Sequence, residues 1–429
     1  MGTIFNGFRY QDHMLCADGV SLREIAERHG TPTYVYVSKL MTEAYEELDR
    51  ALEAIPHVIC YAVKANSNLA TLRTLSQVGC GADIVSGGEL YRALEAEVPA
   101  DKIVFSGVGK TKEEIDYALK KRILCFNIES EQELVAIDTV SKSLKKVANV
   151  CIRVNPDVDP KTHPYISTGL RDSKFGIPYR DAPGLVRQAL RLKNVNLIGL
   201  GCHIGSQITQ LSPFTDAIRR MMKLYDEALK LKSELTHFDV GGGLGIVYHK
   251  EKPPSLTAWA NTLVRELKDR KLTLILEPGR SLVGNAGVLL TSVIYAKRGE
   301  SNNFIIADAG MNDLLRPSLY GSYHAILPVH YRRYKKIKAA VVGPNCESGD
   351  VLTKTRRIQN FQSGDLLSIM SAGAYGSTMS SNYNSRPRAA EVLIRDGRFY
   401  VIRERESFED LIAREKLPPF LKRAAAAQV

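Results

Sequence analysis

The stretch His57-Val58-Ile59-Cys60-Tyr61-Ala62-Val63-Lys64-Ala65-Asn66 is a short apolar run that stops on a lysine. A run this short, with no polar alternation, suits a parallel strand covered on both faces. The same unit recurs. After 58–63 come apolar runs at 82–86, 102–106, 123–128, 149–154, 196–203, 237–240 and 272–276. Helix-patterned stretches separate them, among them 86–94 and 214–232. Eight such strands with helical crossovers predict a (β/α)8 TIM-type barrel, with an open doubly wound sheet as the rival.

The polar residues at the strand ends choose between the two. Lys64 follows the first run, and Asp83 and Ser86 belong to the second. Arg153 closes the fifth, His203 the sixth, Gly241-Gly242-Gly243 the seventh and Glu277 the eighth. In a closed barrel all of these meet at one mouth, on the C-terminal face of the strands. An open sheet would spread them along an edge.

The pattern changes after Arg280. Runs at 288–295, 303–307, 339–342, 366–370 and 398–402 are joined by Gly, Pro, Asn and Ser turns, without helical crossovers. They predict a mostly antiparallel β domain of sandwich or barrel type. The expected division is an N-terminal segment at 1–35 that joins the β domain, a barrel at 36–280 and the β domain at 281–429. Thr33-Tyr34-Val35-Tyr36-Val37 is expected to be an edge strand, and the Ala-rich end at 422–429 a frayed tail.

Composition excludes several classes. Apolar residues make up 44% of the 429 and charged residues 24%, as in ordinary globular proteins. The formal charge of +11 comes from dispersed Lys and Arg, with only short clusters such as 331–336, so a nucleic-acid partner is not expected. No apolar run is long enough to cross a bilayer, and the first residues lack a secretory pattern, so no membrane partner is expected. The seven Cys are odd in number and form no CxxC, a reduced cytoplasmic pattern.

Each chemical motif has two readings by itself. Lys64 is either a snorkelling cation or an amine held for Schiff-base chemistry. Gly241-Gly242-Gly243-Leu244-Gly245 is either a structural turn or an anion nest. In Glu277-Pro278-Gly279-Arg280 the charges either pair locally, or Glu277 faces a cationic ring nitrogen while Arg280 takes a carboxylate or phosphate. His203 is a core or a site histidine. A metal is not expected, because no second ligand recurs at metal spacing.

Together the motifs resemble the alanine-racemase-like barrel decarboxylases that use pyridoxal 5'-phosphate. The matching segments are YAVKAN (61–66), GADIVSGGE (81–89), STGLRDSKFGI (167–177), HIGSQ (203–207), GGGLG (241–245), EPGR (277–280), DAGMNDLLRPSLYGSYH (308–324), CESGD (346–350) and GAY (373–375). The resemblance implies that Lys64 carries the cofactor, with His203 stacked on its ring and Asp83 and Arg153 beside it. It implies phosphate contacts from Ser206, Gly243, Gly279 and Tyr375, and a pyridinium partner in Glu277. It assigns the substrate's far carboxylate to Arg280, Arg316 and Tyr320, with Arg280 and Tyr375 touching both cofactor and substrate. Cys346 is implied as proton donor and Glu347 as a contact to the substrate amine. Both reach over from a second copy, which implies a homodimer with shared sites.

Within that family, relatives acting on ornithine or arginine take substrates with a cationic far end. A buried Arg316 would repel such an end but can pair with a carboxylate. The resemblance is therefore nearest to the branch that decarboxylates meso-2,6-diaminopimelate to L-lysine, with D-ornithine or D-lysine decarboxylation as the alternative. An alanine-racemase-type isomerase is disfavoured by Glu277, and a non-catalytic cofactor-binding protein by the joint presence of Lys64, Cys346 and Glu277. The expected small-molecule partner is an amino acid.

Overall fold

The computed structural model describes residues 7–159, 174–231, 234–300, 302–332 and 335–421. Most of the segment at 167–177, part of the cluster at 331–336 and the tail at 422–429 lie outside these residues.

Eight parallel strands close into a barrel. In chain order they are His57–Ala62, Gly81–Ile84, Ile103–Phe105, Cys125–Ile128, Ala148–Asn155, Val195–Gly201, His237–Asp239 and Thr273–Leu276. Each pairs with the next, and Leu274, Ile275 and Leu276 pair back onto His57, Val58 and Ile59, which closes the ring. The strands are buried almost throughout, which is why they read as unbroken apolar runs. Side chains fill the interior: Cys60, Val104, Cys125, Cys151, Ile198 and Ile275 form one packed cluster. Capped helices begin soon after the strands. Ser86, for example, accepts the Glu89 N–H at 3.2 Å and starts the helix Gly87–Glu95.

The second body is a large, mostly antiparallel sheet. Its long central strand, Gly287–Arg298, pairs with Asn303–Ala307 on one side and Thr33–Val37 on the other. Here one expectation is corrected. Thr33–Val37 is an interior strand, antiparallel to Gly287–Arg298 and parallel to Ala390–Arg395. All five of its residues are buried, because both of its faces are packed. An N-terminal hairpin, Phe8–Gln11 with Met14–Ala17, and the helix Leu22–His29 cover one face of this sheet through Phe8, Leu15 and Ile25.

The sheet meets the barrel at its C-terminal mouth. The Tyr375 N–H donates to the Ala65 carbonyl at 2.7 Å, and Asn66 Nδ2 to the Gly373 carbonyl at 3.3 Å. These bonds dock the loop after Leu366–Ile369 onto the residues that follow Lys64, so one cavity is walled by both bodies.

Candidate active site

The cavity encloses about 380 Å³, within the range of small-ligand sites. From the barrel, Lys64, His203, Ser206, Gly243, Glu277 and Gly279 line it. Arg280, Arg316, Tyr320 and Tyr375 close the other side. The barrel therefore gathers residues that lie far apart in the chain.

Lys64 follows the first strand and projects into the cavity. Its Nζ donates to Asp83 Oδ2 at 2.6 Å, from the neighbouring strand. Burial pulls the amine's pKa down, but Asp83 and then Glu277 outweigh it and hold the group above its ordinary value.

Glu277 is buried and accepts from Ser106 Oγ at 3.0 Å and Asn127 Nδ2 at 2.9 Å. Asn127 also donates to Asp239 Oδ2 at 2.8 Å. Burial, followed by the like charges of Asp239 and Asp83, pushes the Glu277 carboxyl well above the usual range. Such a group lowers its free energy by facing a cation. Glu277 does not pair with Arg280, so the local ion pair is not the arrangement the fold adopts.

His203 is held by the glycine run. Its Nδ1 accepts the Gly242 N–H at 3.1 Å. Gly241 has φ +65°, and a Cβ there would stand 2.6 Å from that same Nδ1. Burial, then the charges of Arg153 and Lys64, keep the imidazole well below its ordinary pKa and neutral. Arg153 stands behind this group rather than in the cavity wall, paired with Glu129 at 2.7 Å.

Two guanidiniums dominate the far wall. Arg280 and Arg316 are each 6% exposed. Arg280 donates to Tyr248 Oη at 2.5 Å and Ser206 Oγ at 3.0 Å, while its Nε has no partner. Arg316 donates to His324 Nε2 at 2.9 Å and stacks 4.6 Å over the Tyr248 ring. Among the described residues no carboxylate pairs with either. Buried cations satisfied only by neutral acceptors mark a place for anions. Tyr375 lies 4.8 Å below the Arg280 guanidinium in the left-handed region, φ +56°, a strained conformation that functional sites tolerate.

The site's chemistry fits pyridoxal 5'-phosphate. Lys64 offers the amine, and Glu277 a buried carboxyl that forms no close ion pair among the described residues. Ser206, Gly243, Gly279 and Arg280 offer a hydroxyl, close backbone and positive charge for a phosphate.

Cys346 and Glu347 are not in this cavity. They sit exposed on the loop between strands Lys336–Val342 and Val351–Gln359, where the Cys346 N–H donates to Asn384 Oδ1 at 2.7 Å. Sequence reasoning missed Tyr248, His324, Asn127 and Asp239. Tyr248 had a signal, an apolar-aromatic run straight after the glycines. Asp239 ends its strand and Asn127 lies one residue before the end of its own, near the places the recognised residues take.

Comparison with known proteins agrees with this geometry. Residues 39–284 match the family described as pyridoxal-dependent decarboxylase, pyridoxal binding domain. The chain is 48% identical over 404 residues to a diaminopimelate decarboxylase of Aquifex aeolicus, covering 94% of this chain and 96% of that one. It is 50% identical over 401 residues to one from Neisseria meningitidis, covering 94% and 98%. Among solved structures, the diaminopimelate decarboxylase of M. jannaschii in co-complex with L-lysine superposes with a TM-score of 0.92 at 41% identity, covering 97% of this chain and 99% of that one. No described helix is long and apolar enough to cross a membrane.

Proposed function

The chain belongs to the pyridoxal-dependent decarboxylases, and on that premise we propose that it decarboxylates meso-2,6-diaminopimelate to L-lysine and carbon dioxide. The observation that carries the substrate is the pair Arg280 and Arg316, buried in the wall of the cavity that Lys64 also lines, with no carboxylate partner among the described residues. A substrate with a second carboxylate satisfies them, and one ending in an ammonium does not.

Bound pyridoxal 5'-phosphate supplies the electron sink for the pair left behind when carbon dioxide departs. The rest is the work of this chain. Lys64 holds the cofactor through its Nζ, oriented by Asp83. Glu277, braced by Ser106 and Asn127, keeps a proton on the ring nitrogen. The neutral His203, which lines the cavity, would pack against the cofactor ring, with Arg153 near the imidazole. Ser206, Gly243, Gly279 and Tyr375 would take the phosphate, and Arg280 would serve both phosphate and substrate. Arg316 and Tyr320, on the short helix Arg316–Tyr320, take the distal carboxylate.

The reacting carbon must then gain a proton. Cys346 and Glu347 are exposed and outside their own chain's cavity. This supports a homodimer in which the Cys346 thiol of a second copy donates that proton and Glu347 receives the substrate amine. Six of the seven cysteines are buried and all are unpaired, which supports a reducing, cytoplasmic location.

The test is carbon dioxide release from meso-diaminopimelate, D-lysine, L-ornithine and L-arginine by the purified holoenzyme. The expected result is turnover of diaminopimelate far above the others. Release from ornithine or D-lysine without release from diaminopimelate overturns the substrate.

A further inference from the structure

Arg316 reaches the cavity from a helix of a single turn, so its aim depends on what holds its guanidinium. The partner is His324, which is fully buried. Its two ring nitrogens have different neighbours. Nδ1 lies 2.8 Å from the Met370 carbonyl oxygen, and Nε2 lies 2.9 Å from Arg316 Nη1. A carbonyl can only accept and a guanidinium can only donate. The proton must therefore sit on Nδ1, leaving the Nε2 lone pair for Arg316. The imidazole is consequently neutral, with its tautomer dictated by the Met370 carbonyl, just past the strand Leu366–Ile369.

We infer that His324 is a positioning residue for substrate selection: locked as the Nδ1–H tautomer, it aims the Arg316 guanidinium at the distal carboxylate. This deepens the decarboxylase reading above and rests on it.

Tyr248 completes the device. Its ring lies edge-on to His324 at 5.2 Å and under Arg316, while its hydroxyl accepts from Arg280. One tyrosine thus separates two like charges. Glu251 fixes the tyrosine by accepting the backbone N–H groups of Tyr248 and His249 at 3.0 and 2.6 Å. The charged groups facing His324 are Arg316, Arg280 and Arg356, the last donating to the His324 carbonyl at 2.8 Å. All three disfavour a charged imidazole, as burial does, so the acceptor persists at neutral pH. A residue that stayed protonated would have no lone pair to offer and would repel Arg316.

L-Lysine keeps the distal carboxylate of its parent, whereas cadaverine has none. The two diamines therefore report on the arginine end separately from the cofactor end. His324→Gln keeps an acceptor at the reach of Nε2. His324→Asn keeps a donor for Met370 but falls short of Arg316. In the holoenzyme, His324→Asn is expected to weaken inhibition by L-lysine and raise KM for diaminopimelate by about tenfold or more, the scale of a lost charged hydrogen bond. It should leave kcat and cadaverine inhibition within about threefold, because those sense the reacting end. His324→Gln should restore most of the loss. Equal behaviour of the two variants, or equal weakening of L-lysine and cadaverine, overturns the inference. A wild-type measurement stands apart from folding of the variants. In protein labelled with ¹⁵N-histidine, His324 should give a protonated Nδ1 and an unprotonated Nε2, and the opposite tautomer overturns the inference. Wild-type protein that releases no carbon dioxide from diaminopimelate would instead count against the proposed function, and the tautomer would be read separately.

Discussion

Lys64 Nζ donates to Asp83 Oδ2 across the first two barrel strands at 2.6 Å. The lysine is mobile by nature and the aspartate is wholly buried, so the rigid partner sets the position of the flexible one. The pair also sets the charge of the amine, since the carboxylate favours the ammonium form.

Removing the amine gives the first prediction. Lys64→Ala should show no carbon dioxide release above background and no borohydride-fixed cofactor, with a melting temperature near that of wild type. The side chain faces the cavity and not the packed barrel layers. Cofactor fixed on a different lysine would overturn the assignment.

Removing the carboxylate gives the second. In the native chain the Lys64 pKa is raised, so the reactive neutral amine appears only at high pH. Asp83→Asn should lower that pKa. Apoprotein of the variant should then react with added pyridoxal phosphate at a pH about one unit or more below wild type, read from the growth of the cofactor absorbance. Coincident pH profiles would show that Asp83 does not govern the amine.

Glu277→Gln keeps the shape but cannot hold a proton on the cofactor nitrogen. Cofactor should remain bound while kcat falls by roughly a hundredfold or more, the scale of losing a preorganised charge at a reacting group. A kcat within a few-fold of wild type would be incompatible with that role.

Gly241 admits no side chain. Gly241→Ala should cost about 1–2 kcal/mol from its positive φ alone. The added methyl should also displace His203 and lower cofactor affinity. Cofactor affinity unchanged in a folded variant would show that the ring tolerates another seat.

The proposed sharing of sites between two copies makes a mixing test possible. Lys64→Ala and Cys346→Ala should each be inactive alone. After subunit exchange, about a quarter of wild-type activity should return, since half of the dimers are mixed and each holds one intact site of two. No recovery after proven exchange would place the Cys346 thiol outside a neighbour's site.

The barrel was legible because its strands are buried on both faces and therefore write themselves as apolar runs. The β domain was legible only in part. Strand Val351–Gln359 carries Lys354, Arg356 and Arg357 on exposed or half-buried positions, so its pattern resembles a surface loop. Thr33–Val37 was recognised as a strand, yet its place in the sheet depends on Gly287–Arg298 and Ala390–Arg395, which lie far along the chain. Lys64, His203 and Glu277 were legible as site candidates because each closes an apolar run, and the fold brings all three to one cavity. His324 sat within a recognised segment, but its work depends on the Met370 carbonyl, and a backbone acceptor leaves no mark on a sequence.

Arg280 and Arg316, which meet no carboxylate among the described residues, also bear on how this protein endures. Holding two like charges in a buried wall raises the free energy of the folded chain, and a bound anion lowers it again. Occupancy and unfolding are therefore one linked equilibrium, worth roughly 3 kcal/mol when a ligand exceeds its Kd a hundredfold. Resistance to heat or protease would then rise and fall with the supply of phosphate-bearing cofactor and dicarboxylate, so that a starved cell holds this enzyme in its most perishable form.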